Sequence, residues 1–151
     1  MASREMMQAT VQKMFDMVRR PADGSDPIDA DGVPTRLRNM AETVYAPEVQ
    51  FAVPGRGPQA FSGGKQAYYD YNITRMQKTE GSQRLELLDM MFGNTHGAAL
   101  IRYRDEKNGE TFSWLRINLF RFNEAGDKIV DIKSFEHDQH GVDGWFTKAL
   151  G

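Results

Sequence analysis

The chain has 151 residues, 19 basic against 21 acidic side chains, a net charge of −2 and no cysteine. This length suits one domain, and without cysteine there are no disulfides, thiolate zinc sites or thiol nucleophiles. The mild acidic balance argues against a nucleic-acid binder, which needs a cationic face to release counterions, and no apolar run approaches a membrane span.

Along the chain, Ser3 is placed to cap a helix running to about Arg20, with Met7, Val11, Met14 and Val18 on one face. PADGSDPIDADGVP (21–34) breaks that helix. A second helix starts near Pro34, carries Leu37, Met40, Ala41, Val44 and Tyr45 on one face, and ends at Pro47. VQFAV (49–53) reads as a short strand, followed by a Pro- and Gly-rich loop. A third helix begins near Lys65 and carries Tyr68, Tyr69, Tyr71, Ile73 and Met76. From Arg84 onward LELLDMMF, AALIRYR, TFSWLRINLFRF and KIVDIKSFEH are strand-like, joined by the hairpin connections GNTHG, DEKNG and NEAGD. A short closing helix is predicted through Val142, Trp145, Phe146 and Ala149.

Helices first and a meander after them predict a single α+β domain over residues 1–151. Three N-terminal helices pack on a strongly curved antiparallel sheet to make a cone-shaped α+β barrel. Alternate side chains of each strand then enter a cavity. The N-terminus interleaves charge with methionine and lacks the apolar block of a secretory signal, so a cytoplasmic location is expected.

The segments VYAPEVQFAVPG (44–55), INLFRFNEAGDKIVDIKSFE (117–136) and DQHGVDGWF (138–146) carry a resemblance. The chain resembles the nuclear transport factor 2-like superfamily, and within it the SnoaL-like and ketosteroid-isomerase-like proteins. That superfamily includes isomerases, cyclases, dehydratases, hydrolases and non-catalytic binders, so fold settles little about function. The resemblance places Met14 where ketosteroid isomerases carry a catalytic Tyr, Val53 where they carry the general-base Asp, and Asn118 where they carry a strand Asp. Two apolar replacements make steroid isomerisation by that mechanism a poor fit. Asn118 still offers a hydrogen-bond donor.

With Asn118 facing inward, Trp114, Arg116, Phe120 and Phe122 share its face. On the last strand the inward set is Val130, Ile132, Ser134 and Glu136, and on the strand at 98–104 it is Ala99, Ile101 and Tyr103. The other face, with Leu115, Ile117 and Leu119, is equally apolar and is expected to pack a homodimer partner. Arg116 and Glu136 lie on adjacent strands and can pair, either as a tuned acid/base carboxylate or as a structural ion pair. Asn118 and Ser134 can orient a ligand carbonyl or bond each other. Tyr68, Tyr71 and Asn72 sit where the superfamily lines its pocket. Met14, Met40, Tyr103, Trp114, Phe120 and Ile132 complete the expected lining. Glu136, His137, Asp138 and His140 form a titratable cluster that reads as a solvated rim, an acid/base group or, less well, a metal site. DADG (29–32) fails as a calcium loop, because Pro27 and Arg38 stand where Asp and Glu are required. Gly64-Lys65 fails as a phosphate loop, because Gln66 replaces the needed Ser or Thr.

The resulting expectation is an enzyme without metal or organic cofactor. It would act on a hydrophobic polyketide-, terpenoid- or steroid-like molecule by proton transfer: isomerase, cyclase, dehydratase or hydrolase. Glu136, Arg116 and Asn118 are its expected catalytic residues. The alternative is a non-catalytic binding or dimerisation domain of the same fold.

Overall fold

A computed structural model describes residues 2–79 and 83–150. The helices are α1 (Arg4–Val18), α2 (Thr35–Val44), α3 (Lys65–Thr79) and α4 (Gln139–Leu150). The strands are β1 (Tyr45–Val53), β2 (Phe61–Gly63), β3 (Arg84–Phe92), β4 (His96–Lys107), β5 (Glu110–Phe122) and β6 (Ile129–Glu136). No helix among the described residues is long and apolar enough to cross a membrane.

Local chemistry accounts for the element ends. The Ser3 hydroxyl accepts from Met6 N at 3.0 Å, satisfying one of the free amides at the start of α1. Met7, Val11 and Met14 are buried along that helix, as their spacing predicted. The second helix stops at Val44 rather than at Pro47, and Tyr45 already belongs to β1. Pro47 lies inside that strand. It falls where the β1–β6 pairing shifts register between Tyr45 and Gln50, which suits a residue with no N–H to donate. The strand β2 inside the Gly-rich loop was not expected. It is three residues long and pairs antiparallel with β1. At the β4–β5 hairpin, Asn108 and Gly109 both take positive φ (53° and 79°), which a two-residue turn of the primed type requires.

The six strands form one open sheet in the order β2-β1-β6-β5-β4-β3. The sheet is not closed into a full barrel, because β2 and β3 are its edges. All its pairs are antiparallel except β1–β6, which is parallel. The inward parity holds on β5, where Trp114, Asn118, Phe120 and Phe122 are buried while Ile117 is 46% exposed. It also holds for Ala99, Ile101 and Tyr103 on β4 and for Ile132 and Ser134 on β6. One position is added. A bulge opposite Arg121 and Phe122 pairs Ile129 with Phe122, so Ile129 is buried together with the expected Val130.

The fourth helix covers one part of this core. Asp138 caps it, accepting from Gly141 N at 2.9 Å. Val142, Trp145, Phe146, Ala149 and Leu150 are its buried face.

Candidate functional site

A cavity of about 520 Å³ opens between the sheet and the helices α1, α2 and α3. That is a normal size for a small-molecule site. Its floor comes from β5 and β6. There Ser134 Oγ donates to Asn118 Oδ1 at 2.7 Å, and both side chains are buried. The carbonyl of the Asn118 amide is thereby engaged, and Nδ2 is its remaining donor. Arg116 lines the cavity beside them. Its Nε donates to Glu136 Oε1 at 2.7 Å, and its Nη2 lies 2.5 Å from the same oxygen. The Glu136 side chain is fully buried, and its Oε2 has no hydrogen-bond partner. The Arg116 guanidinium also sits 4.7 Å from the centre of the Tyr103 ring. Burial pulls the Arg116 pKa down, but Tyr103 and Glu136 more than offset it and hold the group charged.

The walls are aromatic. Tyr45, Phe51 and Tyr68 contact one another at centroid distances of 5.1–5.5 Å, and Tyr71 stacks on Phe61 at 4.9 Å. Tyr45 donates to Met14 Sδ at 3.7 Å. Burial raises the Tyr68 hydroxyl to about 12 and raises Tyr45 and Tyr71 as well. At neutral pH these hydroxyls keep their protons, so they serve as hydrogen-bond donors and not as bases. Asn72 is spent inside α3, donating to Tyr68 O at 2.8 Å and accepting from Arg75 at 2.9 Å. The mouth is marked by exposed lining residues: Gln12 and Arg19 on or just after α1, and Arg84, Leu85 and Glu86 on β3.

No protein-family model matches the sequence, and no curated protein matches it. Solved structures do. Bal32a, from a soil-derived mobile gene cassette, superposes with a TM-score of 0.74 at 15% identity, covering 94% of this chain and 97% of its own. A putative SnoaL-like polyketide cyclase from Jannaschia sp. CCS1 gives 0.65 at 11%, covering 97% and 92%. An NTF2-like protein from Burkholderia xenovorans LB400 gives 0.62 at 14%, covering all of both chains. The chain has the nuclear transport factor 2-like fold. At these identities the likeness shows the fold alone.

Within this NTF2-like cone the expected lining residues divide. Met14, Met40, Tyr68, Tyr71, Asn72, Tyr103, Ile132 and Ser134 line the cavity, as do Arg116 and Asn118. Three others stand behind the wall. Trp114 stacks on Tyr103 at 5.3 Å and meets Phe146 edge-on at 5.5 Å, so it backs the wall from beneath α4. Phe120 is fully buried core. Glu136 does not line the cavity, because Arg116 occupies the wall in front of it. The three positions compared with ketosteroid isomerases, Met14, Val53 and Asn118, all reach the cavity.

His137, Asp138 and His140 are exposed, with Asp138 acting as the cap described above. Among the described residues no three His, Cys, Asp or Glu side chains gather closely enough to hold a metal. Sequence reasoning missed Tyr45, which it read as helical, and the arginines of the lining other than Arg116. Arg75 had a signal: it lies four residues after Tyr71, on the same face of a helix.

Proposed function

We propose that this chain is an enzyme that polarises the keto group of a hydrophobic small molecule and stabilises the resulting enolate for isomerisation, cyclisation or elimination. The observation that carries this reading is the convergence of Asn118, Ser134 and Arg116 on the floor of an otherwise aromatic cavity. Fixed donors in a water-poor site stabilise a developing oxyanion far better than water does. Asn118 Nδ2 and the Arg116 guanidinium are the donors. Glu136 acts through Arg116: it fixes the guanidinium and does not touch substrate. Glu86 at the mouth is the only carboxylate among the described lining residues. The wall therefore favours substrates whose C–H is already acidic, such as a polyketide-like 1,3-dicarbonyl, with solvent taking the proton.

The test is hydrogen–deuterium exchange at the acidic carbon of a panel of apolar 1,3-diketones, followed by NMR in D₂O. The expected result is exchange above the buffer rate. Asn118→Ala or Arg116→Met should lower the protein-dependent part by about 100-fold. Exchange at the buffer rate across the panel would refute the enzyme reading. The non-catalytic alternative is favoured by Met14 and Val53, which line the cavity with apolar groups at the two positions compared above.

We also propose that a second copy of the chain covers the outer sheet face. Ile117 and Phe135 are cross-strand partners there and are 46% and 53% exposed. An exposed apolar pair at the centre of a sheet supports this reading.

A further inference from the structure

The protein carries a net charge of −2, yet its cavity is lined by six arginines: Arg19, Arg20, Arg36, Arg75, Arg84 and Arg116. Several pair with carboxylates outside the cavity. Arg116 holds Glu136, Arg19 lies 3.6 Å from Asp16, and Arg36 holds Asp26 through Nε and Nη2 at 2.9 and 3.2 Å. Arg36 is further fixed by its Nη1, which donates to Val18 O at 2.6 Å. Glu86, the single lining carboxylate among the described residues, lies 3.5 Å from Arg102.

Arg20 is placed differently. Its nearest carboxylate is the same Asp26 that Arg36 already binds, and that contact is 4.0 Å. Its Nη2 reaches only the sulfur of Met76, at 4.0 Å. Its Nε is buried and has no partner. The side chain is 19% exposed. Burial, then Arg84 and Arg36, lower its pKa to about 10 against the weaker opposing pull of Asp26. An isolated guanidinium is expensive to bury, and crowding by like charge adds to that cost. A ligand anion would relieve both.

We infer that the mouth of the cavity binds an anionic head group at Arg20, so that the ligand is an amphipathic carboxylic acid with an apolar ring or chain body. The body lies against Tyr45, Phe51, Tyr68 and Tyr71, and the carboxylate faces the arginines. Guanidinium suits this task because its planar fork matches a carboxylate in two parallel bonds. The inference rests on the cavity being a ligand site but requires no turnover there.

Calorimetric titration with three probes of one shape tests it: 2-naphthylacetate, 2-naphthylacetamide and 2-naphthylethylamine. The acid should bind at least 10-fold tighter than the amide, and the amine most weakly. Arg20→Met should bring the acid to the affinity of the amide and leave the amide unchanged, while Arg20→Lys should retain part of the preference. Thermal melts of each variant confirm folding. Acid and amide binding within twofold in the wild type would overturn the inference. So would equal weakening of both probes by Arg20→Met, or no acid binding at millimolar concentration. Acid-selective binding without diketone exchange would remove the enzyme reading and keep this one. Exchange without acid selectivity would do the reverse.

Discussion

Beneath α4, Tyr103, Trp114, Phe112 and Trp145 form a continuous stack at 5.3–5.5 Å, and Phe146 closes it edge-on. Nearby, Asp143 accepts four hydrogen bonds, from Arg56 N, Gly57 N, Gln59 and Gln139. At the cavity mouth, by contrast, two arginines share one carboxylate, and Arg20 keeps a buried nitrogen without a partner. Both regions are rich in polar and aromatic groups. They differ in charge and packing: the α4 side leaves Trp114 Nε1, Asp105 Oδ1 and Gln59 Oε1 buried without partners but is filled by stacked rings, whereas the mouth crowds like charges around Arg20. Packed rings and a well-bonded carboxylate hold the fold; crowded cations are a place for an anionic ligand. The comparison can be broken by mutating each side and reading stability and binding separately.

The largest expected effect is on the α4 side. Trp114→Ala removes a ring that is 4% exposed and touches three other aromatics. It should cost about 3–5 kcal/mol in urea denaturation. A loss below about 1 kcal/mol would mean that the stack adds little and that the two regions are not distinct in this way.

Asp143→Ala comes next. It strips the acceptor from the loop that carries Gly55, and should cost about 2 kcal/mol. Gly55 shows how closely that loop approaches. It has φ +129°, and a Cβ there would lie 2.4 Å from Asp143 Oδ1. The pH dependence has a definite sign. Burial pushes the Asp143 pKa up, but its hydrogen bonds outweigh this and the net shift is downward. A depressed carboxylate stabilises the fold above its unfolded pKa of about 3.9 and loses that contribution as pH falls through the folded value. The stability gap between wild type and Asp143→Asn should therefore stay constant from pH 7 to about pH 5 and narrow below about pH 4. A gap that widens in acid would show the shift to be upward.

Much of this was legible in the sequence, and the misses have physical causes. Period-3.6 and period-2 patterns placed the four helices and the four long C-terminal strands, because each buries one face. The parity of β5 and β6 followed from Asn118 and brought Arg116, Asn118 and Ser134 together. The bulge that buries Ile129 beside Val130 is invisible to a strict alternation. Alternation also assigns a face and not a depth: Trp114 and Phe120 point inward as expected but stand behind other side chains. The arginine mouth was missed for a related reason. Its members come from the segment just after α1 and from α2, α3 and β3, and only the fold brings them to one place.

The smallest expected stability effect belongs to Arg20, and it sharpens the comparison most. In Trp114→Ala a packed ring leaves, in Asp143→Ala a well-bonded acceptor, and stability drops. Arg20→Met instead removes a crowded cation and keeps an apolar stem of similar length. The lost contact to Asp26 is long, and Arg36 still holds that carboxylate. Relief of repulsion offsets it, so stability should move by no more than about 0.5 kcal/mol in either direction. A loss of about 2 kcal/mol or more in urea denaturation would place Arg20 among the residues that hold the fold. Near-unchanged stability joined to lost acid binding would separate the two regions by function as well as by structure.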